Sequence, residues 1–205
     1  MNAPKAAPRK GRKFDQVIEG ARQVFMSDGF EGASVDDIAR AAGVSKATLY
    51  SYFADKRRLF MEVARRECAR QAEESEALID TALPPRQVLR QAAERMLGFV
   101  LSDFGQRVFR ICVAESDRFP DLGREFYASG PALVRERIKT YFRDATARGD
   151  LRIEDYDLAA DQFAELCKAD LFPRLVFGID RRFSPEEVDR VIEGAVETFL
   201  ARYGA

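Results

Sequence analysis

The apolar positions Phe14, Val17, Ile18, Ala21, Val24 and Phe25 recur at spacings of three and four, which is one buried face of a helix, and Gly29 follows as a stop. Ser34 stands before Val35-Asp36-Asp37, a hydroxyl cap with a carboxylate three residues on, so a second helix is predicted to about Ala42. Gly43 makes a turn, Ser45 caps a short third helix from Lys46 to Phe53, and Asp55 caps a fourth that continues past Cys68 toward Asp80, where Pro84 and Pro85 end it. Five further helical stretches are predicted at about 85–102, 104–118, 121–128, 131–148 and 156–178, the last kinked at Pro173. A final helix at about 185–203 opens on Ser184-Pro185-Glu186-Glu187, which supplies cap, first-turn proline and capping-box glutamate. No stretch alternates with the period of a strand.

The fold class is therefore all-α, with a small N-terminal three-helix domain and a larger helical domain after it. The boundaries fall at 1–12 for a flexible basic arm, 13–60 for the small domain and 61–205 for the body. The arm reads as flexible because residues 1–13 combine two prolines with five basic residues and no periodicity.

Composition narrows the chemistry. The 205 residues contain no histidine, which removes the commonest general base and the usual zinc ligand. There is no phosphate-binding Gly-rich loop and no metal cluster of convincing spacing, so neither an enzyme nor a cofactor is expected. Cys68, Cys112 and Cys167 are odd in number and set in apolar helical patterns, as reduced core thiols are. No run reaches the ~18 apolar residues of a membrane span, so a cytoplasmic protein is expected. The net charge of -1 hides a division: residues 1–70 hold 14 Lys and Arg against 9 Asp and Glu, while residues 71–205 hold 19 against 25. A basic head and an acidic body suit a head that approaches a polyanion.

The segment ASVDDIARAAGVSKATLYSYF, residues 33–53, carries the chemistry. Ala39 is small where the third helix crosses above it, Gly43 suits a positive-φ turn, and Ile38, Val44 and Leu49 form the core that fixes the crossing. The remaining face, Lys46, Ala47, Thr48, Tyr50 and Ser51, is left to meet DNA. Lys46 suits guanine O6 or N7, Thr48 suits a base edge through hydroxyl or methyl, Ala47 permits close approach, and Tyr50, Tyr52 and Lys56 suit phosphate.

From about Arg12 to Val63 the chain resembles the DNA-binding domain of the tetracycline-repressor (TetR) family, through IARAAGVS, LYSYF and the following Lys56, with the helix-turn-helix at about 34–53. The resemblance implies that Ser34, Lys46, Thr48, Tyr50, Tyr52 and Lys56 face DNA and that Ser45 caps the recognition helix. Ser34 stands where the family often has Thr, and Ser51 where bulkier polar residues are common. The stretch FRICVAESDRFPDLGREFYASGP looks like the body of a subgroup associated with efflux and stress genes.

In such a family the body binds an effector and dimerises. Phe99, Phe109, Cys112, Phe126, Phe163 and Cys167 are the candidate walls of a pocket for a small apolar or aromatic effector, although a Phe at helical spacing is more often core. Val188, Val191, Ile192, Ala195 and Phe199 lie on an apolar stripe too wide to leave in water on a terminal helix. The resemblance implies a four-helix bundle across a twofold axis, with Phe163, Leu166, Leu171 and Leu175 supplying the neighbouring stripe; packing within one subunit stays open as the other reading. The expected whole is a homodimeric regulator on palindromic double-stranded operator DNA, a repressor released by its effector. An activator, or a helical protein-interaction module without DNA recognition, remains compatible with the same residues.

Overall fold

The structure, a computed structural model, describes residues 11–77, 79–117 and 119–205; residues 1–10 of the expected arm lie outside them. Eleven helices are seen among the described residues: α1 (Arg12–Gly32), α2 (Val35–Ala41), α3 (Lys46–Tyr52), α4 (Lys56–Ala77), α5 (Pro85–Leu101), α6 (Asp103–Glu115), α7 (Pro120–Ser129), α8 (Pro131–Arg148), α9 (Tyr156–Leu166), α10 (Leu171–Val176) and α11 (Pro185–Tyr203). The one β feature among these residues is an isolated antiparallel bridge between Leu151 and Gly204. No helix among them is long and apolar enough to cross a membrane.

The chain gathers into two compact units, one of residues up to Cys68 with 110–126, the other of 69–109 with 127–205. The sequence places a single boundary at 60/61, whereas these boundaries fall inside α4, α6 and α7; the first lies beyond 60/61 because the apolar face of α4 continues through Val63, Ala64 and Cys68 and stays buried.

In the first unit the predicted face of α1 is buried throughout, from Phe14 to Phe25. Gly29 has φ 73 and breaks the helical path near the end of α1, as its stop role requires. At Gly20 the second helix comes so close that an added Cβ would lie 2.5 Å from the backbone nitrogen of Ala42. Phe25, Phe30 and Phe60 pack together with centroids 5.0 to 6.1 Å apart. Cys112 is buried in this unit, its Sγ 3.7 Å from Met61 Sδ.

The second unit is built on α5, α8, α9 and α11. Phe142 and Phe199 stack with centroids 4.9 Å apart, and Phe163 meets Phe199 edge-on at 5.3 Å. Each such pair adds about 0.5–1.5 kcal/mol beyond the area it buries. Here the structure corrects the expected dimer contacts. Phe163, Leu171, Leu175, Val191, Ile192, Ala195 and Phe199 are all buried within the single chain, packed against α5 and α8, so they form the protomer core. A stripe on a terminal helix needs a partner, and the neighbouring helices of its own unit already supply it. Leu166 and Val188 are half-buried at the edge of that core.

The predicted helix 156–178 is two helices, broken between Cys167 and Asp170, where Asp170 has φ 65. Breaking there places Pro173 in the first turn of α10, where its missing N–H would have had no helical acceptor, so the kink moves upstream of the proline. The last helix keeps its predicted start: Ser184 Oγ accepts from Glu187 N at 3.2 Å, and Glu187 accepts from Ser184 N at 2.9 Å.

Candidate nucleic-acid interface

Helix α2 begins on Ser34, whose Oγ accepts from Asp37 N at 3.0 Å and donates to Asp37 Oδ2 at 2.5 Å. That hydroxyl, with Arg40 Nη1 at 2.7 Å, holds the Asp37 carboxyl below the ordinary carboxylate range. The chain leaves α2 through Gly43 at φ 63, with Gly43 N donating to Arg40 O and Val44 N to Ala39 O. Any side chain would be strained at that φ, which is why this corner takes glycine.

Ser45 then caps α3, accepting from Thr48 N at 3.1 Å, while its hydroxyl also pairs with Thr48 Oγ1 at 2.9 Å. Leu49 anchors α3 and is fully buried, as Ile38 and Ala39 of α2 are buried. With one face fixed, Lys46, Ala47, Tyr50 and Ser51 stand exposed, and Tyr50 is 50% exposed. Ser51 donates to Thr48 O at 2.6 Å and Thr48 is half-buried, so both hydroxyls are engaged locally. Lys46 Nζ lies 2.6 Å from Asp36 Oδ1, and this partner raises the lysine pKa and keeps it cationic. Both groups of the pair are solvated, so exchanging the carboxylate for a phosphate has little to break.

Two residues expected to touch phosphate have other work. Tyr52 is half-buried with its ring edge-on to Phe14 at 5.5 Å. Lys56 donates to Phe30 O at 2.8 Å and Ala33 O at 3.0 Å, and its ammonium sits 4.5 Å from the Phe30 ring centroid. Those carbonyls belong to the end of α1 and lack helical partners, so Lys56 ties the start of α4 to the end of α1. Two of its three N–H groups are occupied in this way. The sequence spacing gave no sign of it, because the acceptors lie 23 and 26 residues away.

The candidate pocket residues separate. Phe163 and Cys167 have no exposed surface and are packed core of the second unit. Cys112 is filled in against Met61, and Phe126, half-buried, belongs with it to the first unit. Phe99 meets Phe104 edge-on at 6.4 Å and Phe109 meets Phe172 at 5.1 Å. Burial raises the thiols of Cys112 and Cys167 to about 12 and that of Cys68 to about 11, which keeps all three protonated.

One surface feature escaped the sequence reading. A shallow groove of about 490 Å³ lies between α9 and α11, bordered by Gln162, Glu165, Leu166, Ala169, Thr198, Phe199, Arg202 and Tyr203. Tyr203 Oη donates to Gln162 Oε1 at 2.6 Å beside it. The groove follows the second, more polar face of both helices, which apolar spacing does not mark.

Residues 17–63 match the family model described as bacterial regulatory proteins of the tetR family, and residues 87–205 match the one described as the AefR-like transcriptional repressor C-terminal domain. The chain is similar to a TetR-family regulator of Mesorhizobium loti of known crystal structure, with 30% identity, TM-score 0.83 and coverage of 97% of this chain and 100% of that one. It is also similar to the flavonoid-responsive regulator FrrA, with 34% identity, TM-score 0.68 and coverage of 95% and 98%. The HTH-type transcriptional repressor AcnR of Corynebacterium efficiens is 41% identical over 58 residues, 28% of this chain and 31% of that protein, so the match spans about a third of this curated relative. With the helix-turn-helix geometry in place at one end and a body model covering more than half of the chain, the protein belongs to the TetR family of bacterial transcriptional regulators.

Proposed function

We propose that the protein is a homodimeric, effector-released repressor that reads a palindromic operator with α3. The observation that carries this reading is the division of α3: Leu49 is fully buried while Lys46, Ala47 and Tyr50 stand exposed on a helix capped by Ser45. A short helix held so firmly on one side, with a cation and small side chains on the other, has the form that enters a major groove. Lys46 takes base edges with Thr48 offering its methyl, Tyr50 takes phosphate, Ala47 and the small Ser51 let the helix close in, and Ser34 and Ser45 shape the helix starts. Lys56 and Tyr52 act chiefly by holding the head together.

The dimer forms through the outer faces of α9 and α11, where the groove and the exposed Gly194, Thr198 and Ala201 leave room for a second copy's helices. Two recognition helices then reach successive major grooves about 34 Å apart. The effector is a small apolar or aromatic molecule, a reading supported by likeness to the flavonoid-responsive regulator along nearly the whole chain. It acts by binding preferentially to the conformer whose head spacing does not fit the operator. The regulator works in the cytoplasm, where its operator lies.

Selection of bound fragments from a random DNA library at fixed salt tests the reading. A palindromic consensus that the Lys46→Ala/Tyr50→Ala variant fails to enrich is the expected result. Equal enrichment by the wild type and that variant refutes it and favours an interaction module.

A further inference from the structure

Phe177 and Ile179 are 80% and 70% exposed, the two most exposed of the large apolar side chains among the described residues, and only Gly178 separates them. Single apolar residues at a surface are ordinary, but two large ones this exposed within three residues call for a partner. Their backbone is held firmly. Ile179 N donates to Arg174 O at 2.9 Å and Gly178 N to Leu175 O at 3.2 Å, with Gly178 at φ 71, which is a complete Schellman stop to α10. Such stops usually fold the residue after the glycine back onto the helix, and here Ile179 remains in the open.

The same segment is stapled a second time. Arg174 reaches Asp170 at 3.0 Å, Asp180 at 2.7 Å and Glu187 at 3.2 Å, and its guanidinium lies 5.1 Å from the Phe183 ring centroid. Holding a loop this tightly while presenting two apolar side chains to water suits a preformed contact, because little ordering remains to be done on binding.

We infer that Phe177 and Ile179 form a knob that seats in the groove between α9 and α11 of a second copy of this chain. This rests on the dimer reading above and extends it to a segment outside the two helices. The apolar parts of the two surfaces match. The knob is apolar at its tip with exposed Arg181 and Arg182 behind it, and the groove offers Leu166 and Ala169 over the buried Phe199, with exposed Glu165, paired to Lys168, on one wall and Arg202 at its border. Each chain carries one knob and one groove, so a twofold axis pairs them twice without leaving either unused.

Sedimentation of the wild type over a wide concentration range, beside Phe177→Asp/Ile179→Asp and Thr198→Arg, tests this, with circular dichroism confirming that each variant stays helical. All three sites of change are exposed. The expected result is a dimer dissociation constant raised about 100-fold or more by the knob variant, since four apolar side chains per dimer lose their cover. The groove variant should weaken the dimer too, and combining the two should cost less than the sum. The chain has no Trp, so Phe177→Trp gives one indole, expected to be shielded from a soluble quencher in the dimer and open in the monomer. An unchanged dissociation constant, additive losses, or an indole fully quenched in the dimer overturns the inference while leaving the dimer reading intact. A wild type that is monomeric at every concentration overturns that reading as well.

Discussion

Replacing Gly20 by Ala is expected to weaken the protein, and the sign follows from what surrounds the position. In an exposed helix interior Gly→Ala gains about 1 kcal/mol, because the glycine backbone loses more freedom on folding. At Gly20 the new methyl would lie 2.5 Å from Ala42 N and 2.7 Å from both Ala42 Cα and Cβ. Two of those atoms are backbone, so no rotamer change makes room and α2 has to move. Overpacking of this kind costs about 1–3 kcal/mol, and backbone contacts this short put it toward the upper end, so against the propensity gain of about 1 kcal/mol the net loss reaches up to about 2 kcal/mol. Gly98, in α5, is exposed and has nothing within 4 Å of an added Cβ, so Gly98→Ala should stabilise by about 0.5–1 kcal/mol. Thermal unfolding of both variants beside the wild type measures the contrast, at roughly 2–4 °C per kcal/mol for a chain of this size. Ala42 immediately precedes the Gly43 turn, so Gly20→Ala should also lower operator affinity, and Gly98→Ala should not. A Gly20→Ala protein as stable as the Gly98→Ala one would refute the close crossing of α1 and α2.

Two further outcomes are expected. Lys56→Met keeps the length of the side chain but removes both donors to Phe30 O and Ala33 O, and charged hydrogen bonds of this kind are worth about 1.5–3 kcal/mol; denaturant unfolding should show a loss in that range, whereas a solvated phosphate contact would leave stability unchanged. The three thiols should resist alkylation at pH 8 until the protein unfolds. Their folded pKa values of about 11 and 12 lie above the ordinary 9.0, so the native state keeps these protons longer than the unfolded chain, and stability should hold below pH 9 and fall as pH rises through 9 toward 12. Replacing all three by Ser should flatten that part of the pH profile, and an unchanged slope would count against the buried thiols.

The sequence by itself determined most of the local structure. Ser34, Ser45, Asp55 and Ser184 cap where their spacing says, and Gly43 turns the chain with positive φ, because a cap or a turn is decided by groups within four residues. The exposed face of α3 was legible for the same reason: the apolar spacing fixes which side is buried, and the remainder follows. What only the tertiary structure decided is which surface each apolar face meets. The stripe on α11 had two possible partners, its own unit or a second chain, and both satisfy the same 3.6-residue pattern; the packing of Phe142, Phe163 and Phe199 gave it to its own unit. Lys56 shows the same limit for a charge, since its carbonyl acceptors become neighbours only when α4 folds back on the end of α1. Periodicity reports that a side chain is buried or free, and three-dimensional packing alone says against what.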